Sequence, residues 1–542
     1  MKNYWKSGEP FVWLTGGALA LNVLMIMGLI LLILVNGLGQ FWPEDLIELH
    51  LKNGQKVLGE IWDRERAPQS EESSFDEVHH RLRLKIGNRD MYGLDFKWID
   101  EANIHGRLQP VGAIAVERME WGNFYGYFES LQVDGQIIAT DLNAGWPQLM
   151  QRLSEAHALR EKIVHLEKNE IGDINYDLES LRLKIRKRNT RYDTTGVRAQ
   201  VAAIHDEIES LKALYHERET ELNALYELAG KSVLKLRTVE GLESEIKLLD
   251  VVRIYRPNKM GLLSKSAAYL SKTWEFVSGE PRESNTEGGI FPAIFGTVML
   301  VIIMSIAVVP LGVLAAIYLR EYAKQGWWVR AIRIAVNNLA GVPSIVYGVF
   351  GLGFFIYAIG GTIDHLFYSE ALPTPTFGTG GILWASLTLA LMTVPVVIVA
   401  TEEGLAAVPR EIREGSMALA ATKFETLWRI VIPSAMPGIL TGLILAIARA
   451  AGEVAPLMIT GVVKLAPSLP LDGHFPFIHL ERKFMHLGFH IYDVGFQSPN
   501  VEAAIPMVYS TTLLLLLIVI LLNVVAIYVR NRLRRKLTHA VF

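Results

Sequence analysis

The chain has 542 residues, 51% of them hydrophobic, a formal net charge of -3 and no cysteine, with a mean hydropathy of +0.26. That hydropathy is far above a soluble protein's usual range and places the chain in a membrane, while the near balance of charge excludes a nucleic-acid binder or an acid-rich solvating chain. The lack of cysteine excludes disulfides, thiolate metal sites and a cysteine nucleophile.

An apolar run from about Phe11 to Val35, preceded by Lys2 and Lys6, is long enough to cross a hydrocarbon core of about 30 Å, which takes about 20 residues. A cleaved signal peptide is the alternative. Its apolar region is usually shorter, and Asn36–Pro43 offers no small-x-small cleavage site, which favours an uncleaved anchor. Residues 1–36 are therefore read as a cytoplasmic N-terminus with the first transmembrane helix, and residues 37–289 as a soluble-type insert.

The insert opens with alternation. Leu46–Leu51, a turn at Lys52–Gly54 and Lys56–Trp62 give a hairpin signal. Further strands are expected at Arg81–Ile86, Met91–Ile99, Val111–Glu117 and Phe124–Ser130, and the charged, serine-rich Arg64–Glu77 reads as an exposed loop. A small antiparallel barrel or sandwich over 44–140 is the expectation. The period then changes to three and four at Leu149, Leu153, Ala156, Leu159, Ile163 and Leu166, and resumes after a one-residue slip near Gly172 at Ile174, Leu178, Leu181 and Ile185. A second arm carries Val201, Ile204, Ile208, Leu211, Tyr215, Leu222, Leu225 and Ala229, interrupted at Arg218. Two arms joined by the polar Asn189–Gly196 turn predict an antiparallel coiled-coil hairpin over 149–229. Each arm reaches on the order of 50 Å at about 1.5 Å per residue. Strands at Ser232–Thr238 and Glu245–Tyr255, within a second β-rich part at 232–256, return the chain to the sheet and make the hairpin an insertion in one β domain. The hairpin serves either as a rigid spacer or as a contact for a partner.

Residues 290–542 form the membrane core, with apolar spans at about Phe291–Leu319, Leu339–Ile359, Ile382–Ala400, Pro437–Gly461 and Ile505–Val529; the first helix makes six. Arg320, Lys324, Arg330 and Arg333 fall in one short loop, Arg410, Arg413, Lys423 and Arg429 in the next loop on the same side, and Arg530–Lys536 in the tail. By the positive-inside rule both termini and these loops are cytoplasmic and the insert lies outside, which in a bacterial inner membrane is the periplasm.

Two stretches of this core carry chemistry. Residues 401–436 hold a polar, helix-capable segment from Arg413 to Pro433. A short helix that enters a partner's groove must present small residues, which Gly415, Ser416, Ala418, Ala420 and Ala421 supply. Glu414 sits where a carboxylate favours the positive end of the helix dipole, and Pro433 with Pro437 limits how far the helix continues. An amphipathic connector is the alternative to a docking loop. In the fifth span, Arg449 and Glu453 are ionisable residues at membrane depth, each costly there by about 3 kcal/mol or more, and their spacing of four puts them on one helix face. They form either an internal ion pair that holds helices in register or a fixed positive charge beside an anion path, with Glu453 orienting Arg449. Gly452 and Pro456 predict a locally irregular helix, which favours the second. Gly341, Pro343 and Gly348 in the third span and Pro395 in the fourth permit close helix contact or kinks, as Gly452 and Pro456 do in the fifth. Gly230-Lys231-Ser232 lacks the upstream glycine of a Walker A loop. The histidines of 474–490 form no HExxH or similar cluster, so no metal site is expected there.

The spacing of Glu414, Ala420, Ile430, Ile432 and Pro433 resembles the EAA loop of ABC importer permeases, E-A-A, three residues, G, nine residues, I-x-L-P. Gly415-Ser416 replace the two alanines, Ala420 the glycine and Ile432 the leucine. Ala448–Leu457 is similar to the A-R-x-A-G-E-T-A-P-L segment of PstA-type phosphate permeases, with Val454 for the threonine, and Gly341–Gly348 resembles their G-[IV]-P-S-[IV]-V-Y-G segment. Gly289–Thr297 and His490–Pro499 also resemble that family, over about residue 285 to the C-terminus plus the first helix. The Ala-Pro-Leu after Glu453 and Val454 favours PstA over its sister PstC. The resemblance implies an α-helical polytopic ABC importer permease of six transmembrane helices, here with a periplasmic β domain that carries the coiled-coil hairpin. It implies ATPase coupling through Glu414, Gly415, Ser416, Ala420, Ile430 and Pro433, and a substrate path at Arg449 and Glu453. The implied partners are a PstC-like sister permease, a cytoplasmic ATP-binding subunit dimer, a periplasmic phosphate-binding protein and membrane lipid, with no nucleic acid. No cofactor is expected in this chain, ATP and Mg being held by the ATPase subunits. Nothing in the resemblance explains the long insert. The alternatives are a permease for another oxyanion, and an envelope signalling or scaffold protein built on a permease core.

Overall fold

The computed structural model describes residues 8–66, 80–191, 195–498 and 501–538. Lys2 and Lys6, most of the expected loop at 64–77 and the centre of the expected turn at 189–196 lie outside the described residues, as do Pro499 and the last four residues. The chain opens with α1 (Glu9–Gly39), a helix exposed along almost its whole length.

Alternating residues then build two antiparallel sheets. β1 (Leu46–Leu51), β2 (Lys56–Arg66), β3 (His80–Lys85), β4 (Phe96–Asp100) and β5 (Ile104–Leu108) form the first, in the order β4-β3-β2-β1-β5. β6 (Ala113–Arg118), β7 (Asn123–Val133), β8 (Gln136–Ala139), β9 (Ser232–Arg237), β10 (Glu243–Lys247) and β11 (Val251–Tyr255) form the second, in the order β10-β9-β7-β6-β11 with β8 beside the end of β7. Leu46 and Leu58 of the first sheet share a core with Ala113, Ala115, Tyr125 and Tyr255 of the second. The arrangement is a sandwich and not a closed barrel, since each sheet keeps two edges.

Two expected strands are broken. The stretch at 91–99 begins inside a helical turn, Arg89–Tyr92, closed by Gly93 at φ 72°, and only Phe96–Asp100 joins the ladder. The stretch at 245–255 breaks where Leu248 turns into the core, and its halves pair at opposite edges of the second sheet. β2 in turn is longer than expected, because its ladder with β3 continues to Arg66 opposite His80.

From β8 the chain leaves the sheet through α2 (Leu142–His165), a π-helical turn at Leu166–Glu170 and α3 (Ile171–Arg191), and it returns through α4 (Thr195–Gly230) to β9. The Asp141 carboxylate caps α2 by accepting from the N–H groups of Asn143 and Ala144. The extra residue of the π turn absorbs the slip in apolar period near Gly172. Leu149, Leu153 and Ala156 cover the second sheet, so the pairing of the two arms rests on residues farther along. There Ile174, Leu178 and Leu181 meet Ile204 and Ile208, Glu167 accepts from Tyr226 at 2.7 Å and Glu170 pairs with Arg218 at 3.0 Å. The helices therefore run antiparallel.

α5 (Leu262–Ser278) has no counterpart in the sequence reading. It is fixed to the second sheet by ions: Glu117 pairs with Lys272 at 2.5 Å and with Arg253 at 2.8 Å, and Glu275 pairs with Arg253 at 3.0 Å and with Arg282 at 2.7 Å. Burial by itself would raise the Glu117 carboxyl, but the Lys272 and Arg253 cations overcome it and hold the group at about 2. Because this folded value is below the ordinary one of 4.5, the stability it contributes is whole above that pH and is lost as the pH falls toward 2. Thermal midpoints measured across this window are expected to fall less steeply with acid in Glu117→Gln than in the native chain.

The membrane part follows as α6 (Phe291–Tyr322), α7 (Trp327–Leu339), α8 (Ser344–Phe367), α9 (Ile382–Ala406), α10 (Arg410–Ala418), α11 (Lys423–Gly452), α12 (Ala455–Thr460), α13 (Leu487–Tyr492) and α14 (Val501–Thr538). Among the described residues six helices, α1, α6, α8, α9, α11 and α14, are long and apolar enough to cross a membrane. In hydrocarbon the backbone must satisfy its own hydrogen bonds, which is why these runs are helical. α9 is the axis of the bundle, buried over 67% of its most apolar stretch against 6% in α1 and in α14. Small residues let it approach α11 closely: a Cβ on Gly438 would lie 2.6 Å from the Cα of Gly404, and one on Gly442 would lie 2.8 Å from the Cβ of Ala400.

Two span boundaries differ from expectation. Leu339 ends the amphipathic α7, and the third span starts only at Ser344, where Pro343 releases the chain into a new helix. The fifth span begins at Lys423 and passes through Pro433 and Pro437. The π turn at Leu427–Val431 widens the helix just behind Pro433 and makes room for its ring.

Candidate functional site

α10, the turn at 419–421 and the first turn of α11 form a compact helical hairpin on one end of the bundle. Thr422 starts α11 with a capping box: its hydroxyl accepts from the Glu425 N–H at 3.2 Å, and the Glu425 carboxylate accepts from the Thr422 N–H at 2.9 Å. Inside the hairpin the hydroxyls of Ser416 and Thr426 lie 2.9 Å apart, both residues buried. Arg413 pairs with Glu321 at the end of α6 and donates to the Leu405 carbonyl, while Lys423 donates to the Glu321 carbonyl. This clamp on Glu321 was not apparent from spacing, since its members are 92 and 102 residues apart along the chain.

The six expected coupling residues divide in place. Glu414, Gly415 and Ala420 are exposed, Ser416 is internal to the hairpin, and Ile430 and Pro433 are half-buried on α11. A Cβ on Gly415 would meet nothing within 4 Å. Beside these, Leu419 at the tip is 86% exposed, and Phe424 and Trp428 stack one turn apart with most of their surface open. Ala420 has φ 64°, the left-handed region that favours glycine, and the glycine of the EAA pattern falls at this position. Ala420→Gly is expected to stabilise the purified chain by about 1 kcal/mol through relief of that strain, seen as a raised thermal midpoint.

The ion pair sits at the far end of the same helix. α11 stops at Gly452, and Glu453 is extended with ψ 136°, so Arg449 and Glu453 do not share a helix face as their spacing predicted. The break turns the carboxylate back, and Glu453 Oε1 still lies 3.5 Å from Arg449 Nε, the side chains 22% and 32% exposed. The irregularity expected from Gly452 and Pro456 is a full break, after which Ala455–Thr460 starts a new short helix. Pro456 packs on Gly348 so closely that a Cβ there would lie 2.8 Å from the Pro456 Cα. A Cβ on Gly452 would meet nothing within 4 Å, and Gly341 lies in the turn before α8. From Lys423 to Arg449 the helix spans about 40 Å at about 1.5 Å per residue, so one rod joins the exposed hairpin to the ion pair.

On the opposite end of the bundle, α3 lies over two loops of the membrane part. Tyr176 donates to the Phe475 carbonyl at 3.1 Å and its ring lies 4.2 Å from that of His474 at a tilt of 40°, Asp173 pairs with His474 at 3.3 Å, and Lys187 pairs with Glu370 at 2.9 Å. Asp472 holds one of these loops together through Arg482 at 2.5 Å and His479 at 2.9 Å. His486 and His490 are buried, and desolvation lowers both to about 4, which keeps them neutral. Among the described residues no group of three His, Cys, Asp or Glu is placed to hold a metal ion.

Residues 308–539 match the family described as binding-protein-dependent transport system inner membrane component. The chain is similar to phosphate transport system permease protein PstA 1 of Mycobacterium tuberculosis, with 39% identity over 185 residues that cover 34% of this chain and 54% of that protein. It is similar to PstA of Yersinia pestis, with 35% identity over 188 residues covering 34% and 57%. It is also similar to phosphate transport system permease protein PstC of Xylella fastidiosa, with 31% identity over 208 residues covering 36% and 64%. The chain thus spans 54–64% of the length of these three relatives. The likeness to PstA-type permeases read from the sequence is borne out for the membrane part, while the family match leaves α1 and the insert outside it. Six apolar helices and this likeness make the chain a multi-pass inner membrane protein.

Proposed function

We propose that the chain is the transmembrane permease subunit of an ATP-driven phosphate importer, passing phosphate from a periplasmic binding protein to the cytoplasm. The observation that carries this reading is the 39% identity of its membrane part to a protein named as a phosphate transport permease. Three segments divide the work: 1–36 as cytoplasmic N-terminus and first span, 37–289 as a periplasmic insert, and 290–542 as the permease core, with both termini cytoplasmic by the positive-inside rule. The partners are a PstC-like sister permease and two ATP-binding subunits, which hold ATP and Mg and leave this chain without an ATPase site of its own. Closure of those subunits moves the hairpin built from α10 and the start of α11, with Glu414, Gly415 and Ala420 at the contact. α11 carries the movement to Arg449, whose guanidinium meets the phosphate anion, while Glu453 orients it and keeps the hold weak enough for release.

The helices α2 to α4 act as a coiled-coil hairpin that contacts the outer mouth and is more than a spacer, a role supported by the Tyr176, Asp173 and Lys187 contacts to the loops around His474 and Glu370. ATP-dependent uptake of radiolabelled phosphate by vesicles carrying the assembled complex tests the reading, with sulfate and molybdate as competitors. Uptake blocked only by phosphate supports it. Uptake blocked by another oxyanion shifts the substrate, and a complex that moves no anion favours a scaffold built on a permease core.

A further inference from the structure

We infer that α5 is an in-plane membrane anchor whose outer stripe, Leu263, Ala267, Leu270 and Trp274, seats in the boundary between lipid headgroups and acyl chains. At about 100° per residue these four positions fall within an arc of about 60°. Leu263, Leu270 and Trp274 are 89%, 67% and 71% exposed. The opposite face is fully engaged: Lys265 pairs with Asp45 at 2.7 Å, Tyr269 packs on Phe41 and Trp42, Lys272 pairs with Glu117, and Phe276 is buried. A helix with one face ionically fixed to protein and the other apolar and bare has an unmet partner on the bare side.

The attachments place that side at membrane level. Asp45 lies just beyond the end of α1, and the N–H of Ile290, next to the start of α6, donates to the Phe276 carbonyl at 2.8 Å. Both ends of α5 are therefore tied to the exits of two spans, and a helix of 17 residues, about 25 Å long, lies along the surface where those spans emerge. Phe41 packs on both Tyr269 and Phe276, which makes the helix continuous with α1. α1 is a peripheral span of the bundle, apolar and exposed nearly all round as α14 is, so the surface next to α5 faces hydrocarbon. A tryptophan and leucines at such a depth have the chemistry of an interfacial anchor, with the indole ring at headgroup level.

The absence of cysteine lets single spin labels be placed in the otherwise native full-length chain in liposomes. Labels at Leu263→Cys, Leu270→Cys and Trp274→Cys are compared with Leu21→Cys on exposed α1 as the lipid reference and Asn53→Cys in an exposed turn as the water reference. The expected result is an accessibility to oxygen, relative to a neutral nickel complex, several-fold above that at position 53 and approaching that at position 21. A ratio equal to that at position 53 means the stripe faces water and overturns the proposal. Shielding from both reagents means that protein covers it, and also overturns the proposal. Leu263→Asp with Leu270→Asp, read at the position 274 label, is expected to lower the ratio toward the water value.

Discussion

Arg449→Gln, in a complex assembled to the native level, is expected to lower phosphate uptake by about 10- to 100-fold while the ATP-binding subunits still co-purify. A charge-assisted hydrogen bond is worth about 1.5–3 kcal/mol, and each 1.4 kcal/mol or so is about tenfold in rate. The residue lies in the last turn of α11, just before the chain breaks at Gly452. Its pairing with Glu453 is long at 3.5 Å, and both side chains are partly open, so its charge is oriented and still available. A purely structural pair predicts a different pattern. Removing Arg449 alone would then leave a half-buried carboxylate without its partner, and Arg449→Gln with Glu453→Gln would restore uptake. If Arg449 meets the anion, the double variant stays as slow as the single one. Native uptake by Arg449→Gln would take Arg449 off the anion path and would also show that the pair is not needed to hold the helices in register.

The parts of the fold governed by one strong local signal were legible, and the parts decided by tertiary contact were not. Six spans could be read because about 20 apolar residues in a row have few soluble explanations, and an irregularity after Arg449 because Gly452 and Pro456 lie four residues apart, but not that the helix ends there and takes Glu453 off its face. The slip near Gly172 is visible as a π turn since an inserted residue shifts every apolar position after it. By contrast, the split of the stretch at 245–255 depends on Leu248 finding the core, which alternation alone does not report. α5 was missed because its inner face is built from Lys265, Lys272 and Glu275, and ions matched to distant residues read locally as a solvated surface. The same reason hides the Glu321 clamp. At Ala420 the departure from the EAA glycine was visible as a substitution, whereas its cost, a left-handed backbone at an alanine, required the turn to be seen.

Gly415→Arg is expected to leave the chain folded and to abolish both co-purification of the ATP-binding subunits and phosphate uptake. The position separates docking from folding in a way its neighbours do not. A Cβ there would meet nothing within 4 Å in this chain, Gly415 is exposed, and replacing glycine within a helix stabilises it by up to about 1 kcal/mol, so the thermal midpoint of the purified chain should hold or rise. Ser416→Val, by comparison, breaks the buried bond to Thr426 and should lower that midpoint whatever the hairpin binds. Any loss of assembly in Gly415→Arg must therefore arise outside the chain, where a bulky cation keeps α10 from a partner's groove. Glu414→Ala tests the same surface with a smaller change and is expected to weaken uptake while partial assembly remains. If Gly415→Arg transports phosphate at the native rate, α10 is a connector on the membrane surface, and the force that drives α11 must enter elsewhere.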